Sequence, residues 1–275
     1  MTLTQKQKWM SQKNLGLIGL LVALILLRFG NIIIVHHNFL PSTDNEAMRE
    51  YIAFTALTDS PFCSSLKGAL AQGSEHRTMI HAFVSNSGHF PFLHNVLLTM
   101  RRNGMPWKPL VLSIGAGVCP MLADVSELQG HVICVPYLER LFHQLQRDEP
   151  ESVEQIQPLL APNSTSDANN NNTRFDNIDN TFYGWGSVEH KFLINAKLYA
   201  LRDMLECGVD AFITDTDIGF RHDPRPYFAI DGLKGDIIAQ NDTNKAYVLS
   251  LNSGFMYWKR TRQNIDLIND IITGE

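Results

Sequence analysis

The sequence has no excess of positive charge, because its 275 residues contain 23 lysines and arginines against 28 aspartates and glutamates, a net charge of −5. Proteins that bind nucleic acids neutralise backbone phosphates with clustered basic residues, so DNA and RNA are not expected partners. A single nucleotide is still compatible with this charge, since a metal ion and backbone amides can hold its phosphates.

Cysteine is also scarce, and the chain has no pair of cysteines at the short spacing typical of a zinc site. Buried free thiols are one interpretation of the cysteines that are present. In a secretory chain one disulfide is the alternative, and its pairing cannot be read from the sequence. The four cysteines are Cys63, Cys119, Cys134 and Cys207.

Charge is nearly missing from an apolar stretch near the N-terminus, Leu15–Val35, which only Arg28 interrupts. Its length matches the roughly 20 residues that a helix needs to cross a bilayer. Lys6, Lys8 and Lys13 precede it, and the positive-inside rule then places the N-terminus in the cytoplasm and the remaining chain in the lumen. We expect a single-pass type II membrane protein; a cleaved signal peptide and a buried soluble helix are the alternatives.

Beyond this segment, short apolar runs alternate with amphipathic stretches, which predicts an α/β fold with a mostly parallel sheet and helices on both faces. Strands are predicted at 78–85, 109–115, 132–136 and 211–214, and helices at 92–102, 121–128, 189–207 and 264–272. The expected organisation is a cytoplasmic tail at 1–14, a signal anchor at 15–35, a stem at 36–75 and a globular domain at 76–275, with a polar loop insertion at 145–180.

Three N-glycosylation sequons, at Asn163, Asn171 and Asn241, agree with a lumenal domain. The first two lie in the asparagine-rich insertion, where a surface glycan would fit, and we expect these two to be modified.

The most informative segment leads from an apolar strand into Asp215-Thr-Asp217. Ligands of open α/β sheets bind at the carboxyl ends of strands, and strand alternation would point both carboxylates the same way. A cation relieves their mutual repulsion, and a hard divalent ion suits both carboxylate and diphosphate oxygens. We therefore expect Asp215 and Asp217 to be metal ligands and catalytic residues; a pair of solvated turn residues is the alternative.

The segment Lys197–Phe220, followed by Asp223-Pro224 and Pro226, resembles the nucleotide-diphospho-sugar transferase family, which includes plant cell-wall xylosyltransferases and arabinosyltransferases. The stretches Asp236–Asp242 and Leu251–Phe255 fit the same pattern. The resemblance implies a Rossmann-like GT-A fold and a nucleotide-sugar donor, with UDP-xylose, UDP-galactose or UDP-arabinose as candidates. It also implies Mn²⁺ (or Mg²⁺) as metal, retention of anomeric configuration, a glycan or glycoprotein acceptor, and a Golgi location.

The resemblance also implies roles for individual residues. Asp217 would bind the metal directly, and Asp215 would lie near the ribose and the metal. A glycan at Asn241 would block the donor cleft, so this sequon is expected to be unmodified. The residues expected to contact the donor, with ordinary turn, helix-surface or loop positions as the alternative, are Ser85, Asn86, Lys197, Gln240, Asp242, Asn252 and Gly254.

The family pattern normally continues past the helix predicted at 264–272, so the C-terminal part of the domain is expected to be missing here. The sequence leaves two alternatives to a glycosyltransferase. One is a non-catalytic lumenal protein that keeps the fold. The other is a DxD phosphatase with a nucleophilic first aspartate, which Gly219 disfavours because threonine or valine usually stands two residues after the second aspartate.

Overall fold

The computed structural model describes residues 32–35, 60–70, 79–151, 153–154, 187–228, 236–241 and 251–274. Within these ranges the chain forms seven strands, seven α-helices and two short 3₁₀ helices at Ser87–His89 and Ser126–Leu128. The strands are β1 (Ile32–Val35), β2 (Met79–Ser85), β3 (Leu110–Ser113), β4 (Ile133–Pro136), β5 (Asp210–Thr214), β6 (Ile237–Asn241) and β7 (Leu251–Trp258). The helices are α1 (Pro61–Leu70), α2 (Phe90–Arg102), α3 (Val118–Ala123), α4 (Leu138–Asp148), α5 (Val188–Glu206), α6 (Arg225–Phe228) and α7 (Arg262–Thr273).

The strands form one sheet in the order β1-β6-β7-β5-β2-β3-β4. Strands β5, β2, β3 and β4 are parallel neighbours, whereas β7 is antiparallel to both β5 and β6, and β1 is antiparallel to β6. Strands β2 to β6 therefore share one direction, and the mainly parallel α/β fold is confirmed. The carboxyl ends of β2, β3, β5 and β6 and the amino end of β7 all lie at one edge of the sheet.

Helices cover both faces of the sheet, as expected. One hydrophobic cluster joins α1, α4, α5 and α7 to the first face, and a second joins α2, α3 and α6 to the opposite face. Alternation along β5 feeds both clusters, because Ala211 and Ile213 enter the first whereas Phe212 enters the second. Strand β5 is therefore packed on both faces at the centre of the core, which fixes the position of its carboxyl end.

Two local features at the ends of α5 fix where the helix begins and where the chain turns into strand β5. Ser187 caps the helix, its Oγ accepting a hydrogen bond from the backbone N–H of His190 at 3.1 Å. At the other end Gly208 adopts φ 80°, a left-handed conformation that glycine reaches without strain, and turns the chain into the strand. Strand β5 then aligns in parallel with β2, with Ala211 beside Ile80.

Helix α1 lies within the part of the sequence expected to be a stem, residues 36–75. It packs against the sheet instead, because Phe62, Cys63 and Leu66 are buried and Cys63 is disulfide-bonded to Cys207 at the end of α5. A second disulfide links Cys119 to Cys134. Both links correct the expectation of free thiols or of one disulfide.

Strand β1 replaces the last four residues of the expected membrane anchor, 15–35. Its residues, Ile32–Val35, pair antiparallel with β6, which suits the preference of isoleucine and valine for extended backbone. Residues 15–31 of the same prediction, like the tail at 1–14, lie outside the described residues. In the part of the chain that the structure describes, no helix has the length and apolar character needed to cross a bilayer.

Helix α4 corrects the start of the expected polar insertion, since the helix continues to Asp148. Leu138, Leu141 and Leu145 recur at helical spacing and are buried. That apolar spacing would have predicted the helix from the sequence. Residues 155–180, with Asn163 and Asn171, lie outside the described residues.

Candidate functional site

Asp215 lies one residue past the end of β5, at the edge where the carboxyl ends of the parallel strands meet. Its backbone still follows the sheet, because its N–H donates to the Gly254 carbonyl oxygen at 2.9 Å. Asp217 lies in the turn that follows and is exposed. Strand alternation ends at Thr214, so the expectation that it points both carboxylates the same way is wrong.

Gly254, on the neighbouring strand β7, faces the Asp215 side chain. A Cβ atom built on Gly254 would lie 2.8 Å from Asp215 Cγ and 2.6 Å from Asn252 Oδ1, closer than real side chains approach. The backbone N–H of Gly254 donates to Asn252 Oδ1. Glycine is therefore required here by space, and it brings the carboxylate of Asp215 and the amide of Asn252 together.

Lys197 reaches the same carboxylate from α5. Its side chain is 8% exposed, and its Nζ forms an ion pair with Asp215 Oδ1, whereas the Asp215 side chain is 37% exposed. Three of the residues expected at the donor site, Lys197, Asn252 and Gly254, thus meet at Asp215. The lysine is not a solvated residue on the helix surface.

Gln240 extends this group across the sheet. It is exposed, and it lies opposite Asn252 in the β6–β7 pairing, where an irregularity in register falls between Ala239 and Gln240. Asp242, expected to contact the donor from the same edge, lies outside the described residues.

Ser85 is the last residue of β2, the strand beside β5, and Asn86 follows it; both are buried. The Asn86 side-chain oxygen accepts hydrogen bonds from the His89 backbone N–H at 3.1 Å and from His89 Nδ1 at 2.6 Å. Ser85 Oγ donates to the Asn86 carbonyl oxygen at 3.2 Å. Both residues shape the turn that presents His89.

His89 is a residue of this edge that the sequence analysis did not select. Burial lowers its pKa, and so do the nearby positive charges of His190 and Lys197, whereas the carboxylates of Asp215 and Asp217 oppose the shift. Both aspartates, the lysine and two histidines therefore share one electrostatic environment. A histidine four residues past a strand carries no sequence signal of its own.

Behind the acidic motif, a buried hydrogen-bond chain reaches the last residue of β5. Trp107 Nε1 donates to His81 Nδ1 at 3.2 Å, and His81 Nε2 is 2.7 Å from Thr214 Oγ1. An indole nitrogen can only donate, so His81 is neutral and carries its proton on Nε2. Burial among aromatic rings lowers the pKa of His81 to about 3.

A cavity of about 840 Å³ opens beside the ends of β3 and β4. Gly115, Ala116 and Pro136 line it from the sheet edge, and Phe62 and Arg140 from the helices. The Arg140 guanidinium is fixed by two hydrogen bonds of 2.6 and 2.7 Å to the fully buried carboxylate of Asp203. The cavity therefore has a rigid polar wall.

Residues 164–273 match the family model of the nucleotide-diphospho-sugar transferases. Over these residues the chain is similar to the nucleotide-diphospho-sugar transferases. The family match supports glycosyltransferase activity with a nucleotide-sugar donor. Lys197, Asp215, Asn252 and Gly254, which converge in the structure, all lie inside the matched stretch. None of the curated proteins compared with the chain matches it.

The end of the sheet that carries the acidic motif also includes residues that precede the matched stretch. Strand β2 with its turn to His89, and the cavity beside β3 and β4, come from the first part of the described chain. Together they complete the edge of the sheet at which the acidic motif lies.

Proposed function

We propose that this transferase moves a sugar from a UDP-linked donor to a hydroxyl of a glycan or glycoprotein, in a metal-dependent reaction that retains the anomeric configuration. The convergence of Lys197, Asn252 and Gly254 on Asp215 carries the proposal. This group lies at the carboxyl edge of an open α/β sheet, where such folds bind ligands, and within the family match.

The acidic motif fits a hard divalent ion such as Mn²⁺ or Mg²⁺, since Asp215 and Asp217 offer carboxylate oxygens. Among the described residues, no group of three or more histidine, cysteine, aspartate or glutamate side chains is arranged to hold a metal ion. Ions of this kind are often held by one or two carboxylates, with substrate phosphates and water as the other ligands. When bound, the cation would offset negative charge on the departing UDP.

The chain's own residues would orient the donor. Gly254 has no side chain, which leaves room for the Asp215 carboxylate to lie directly against strand β7. The hydrogen bond from the Gly254 N–H fixes the Asn252 amide, and Gln240 lies exposed across from it, so both amides suit sugar hydroxyl groups. Hydrogen-bonding groups that are already fixed reduce the entropy lost when a substrate is oriented.

The cavity beside β3 and β4 is proposed to take the nucleoside part of the donor. Adjacent strands lie about 4.8 Å apart, so the ends of β5 and β3, two strands away, are separated by roughly 10 Å. A nucleoside diphosphate can span that distance. Arg140 and Gln144 on the cavity wall are fixed by Asp203 and could hydrogen-bond a nucleobase without reorganising.

The proposed location is the Golgi lumen, with the chain anchored as a type II membrane protein. Disulfides persist in oxidising compartments and are rare in the cytosol, so Cys63–Cys207 and Cys119–Cys134 support a secretory site. The sequons at Asn163 and Asn171 point the same way. The N-terminal anchor stays a prediction from the sequence.

The test is to incubate the purified chain with Mn²⁺ and a panel of UDP-sugars and acceptor glycans, and to measure UDP release and the glycan product. Asp217→Asn should abolish release, whereas Asp266→Asn, an exposed carboxylate on α7, should leave it unchanged. Binding of UDP-sugar without turnover in the wild type would instead favour a non-catalytic lumenal protein. Release that persists in Asp217→Asn would contradict the assignment of the acidic motif.

A further inference from the structure

The ion pair between Lys197 and Asp215 differs from a surface salt bridge in its burial. The lysine side chain is 8% exposed and comes from α5, whereas the Asp215 side chain is 37% exposed. A buried ammonium group is strongly unfavourable unless a carboxylate pairs with it. Burial and charge pairing therefore hold Lys197 at Asp215, and moving the lysine aside for another cation would cost free energy.

The pair changes the charge that an incoming metal ion would meet. Asp215 and Asp217 together carry two negative charges, and the ammonium of Lys197 reduces their sum to one. Lys197 also occupies Oδ1 of Asp215, one of the oxygens that a metal ion would use. Because a monovalent and a divalent cation a few ångströms apart repel each other, the lysine opposes the ion directly.

A bound diphosphate offsets the repulsion between Lys197 and the divalent ion. Its negative charges can compensate both the divalent ion and the ammonium group, so the two cations no longer compete for one carboxylate. Binding of the ion and binding of the diphosphate must then strengthen each other by the same factor, since thermodynamic coupling is reciprocal. A monophosphate carries less charge and should couple more weakly.

We propose, on the basis of the proposed function, that Lys197 is a built-in counter-cation of Asp215 that competes with the divalent ion. The ion then binds tightly only together with the donor's diphosphate. Lys197 thereby keeps the acidic motif from holding a metal ion in the absence of donor.

The test is a Mn²⁺ titration of the full-length chain, followed by electron paramagnetic resonance of the free ion, without nucleotide and with UDP or UMP. In the wild type, UDP should raise Mn²⁺ affinity by about tenfold or more, and UMP by less. Lys197→Met should raise Mn²⁺ affinity without nucleotide by about tenfold and reduce the enhancement by UDP. Lys191→Met, an exposed lysine on the same helix, should behave as the wild type.

The outcomes distinguish a failure of the proposed metal-dependent function from a failure of the role of Lys197. If the wild type does not bind Mn²⁺ even with UDP, the metal-dependent function itself is wrong. If it binds Mn²⁺ with UDP but Lys197→Met has unchanged or weaker Mn²⁺ affinity without nucleotide, only the role of Lys197 is overturned. Should Lys197→Met fail to fold, as judged by its thermal melting, Lys197→Gln carries the same prediction. A wild type that binds Mn²⁺ equally well with and without UDP would also overturn the inference.

Discussion

Acidification should destabilise the fold through one histidine, His81, which lies on β2 directly behind the acidic motif. The ring centroids of Phe83, Phe212 and Phe220 lie 4.6, 4.4 and 5.2 Å from that of His81. The imidazole is 2% exposed and neutral, accepting from Trp107 and donating to Thr214. A proton on Nδ1 would add a charge to a dry site and break the bond from the indole.

The size of the effect follows from the difference in pKa between folded and unfolded chain. The pKa of His81 falls from 6.5 to about 3 on folding, so the unfolded chain binds more protons throughout this interval. The contribution of the neutral imidazole to the free energy of unfolding is fully present above pH 6.5. It decreases progressively as the pH falls towards 3. At pH 5 the loss is about 2 kcal/mol, at roughly 1.4 kcal/mol per pH unit below 6.5.

The assay compares urea unfolding of the wild type and of His81→Gln at pH 7 and at pH 5. Glutamine can accept from Trp107 and donate to Thr214 but does not titrate, so the other histidines contribute equally to both proteins. Between the two pH values the wild type should lose about 2 kcal/mol more than the variant. An equal loss in both proteins, or an NMR titration of His81 with a midpoint near its ordinary value, would refute the reasoning.

Three further predictions concern the site, the disulfides and the sequons. Gly254→Ala should lower kcat/KM for UDP release about 100-fold by displacing Asp215, whereas Gly219→Ala, with open space around the added Cβ, should leave it unchanged. Replacing Cys63 and Cys207 by serine should reduce the unfolding free energy by about 5 kcal/mol, and replacing Cys119 and Cys134 by about 3 kcal/mol. These disulfides close loops of 144 and 15 residues, and urea unfolding measures the difference. Mass spectrometry of the secreted or membrane-bound chain should find glycans on Asn163 and Asn171 but not on Asn241.

The sequence predicted those strands and helices whose apolar residues form a local pattern, either a short apolar run or a stripe at helical spacing. The apolar run before Asp215 and the helical stripe of α5 are local patterns, and both elements appear within a few residues of the predicted bounds. The relation between β5 and β7 is not local, because antiparallel pairing of strands about 40 residues apart depends on the whole sheet. The family resemblance implied that Asp215 and Gly254 both lie at the donor site, but it did not predict the contact between them.

Other features were missed for a similar reason. Helix α1 was placed in a stem because its mixed composition gives no sign of burial, yet Cys63 is joined to Cys207 far along the chain. His89 enters the site because a turn held by Asn86 presents it, which no spacing in the sequence encodes. The family resemblance implies a donor-site role for Lys197, but whether this side chain faces solvent or a carboxylate depends on the rotation of α5 against the sheet.

The backbone bond between Asp215 and Gly254 ties the acidic motif to the strand that returns beside it. Because this bond joins two backbone groups, substitutions at neighbouring positions can leave it intact. The register of the acidic motif against β7 can therefore persist in evolution while the side chains around it change.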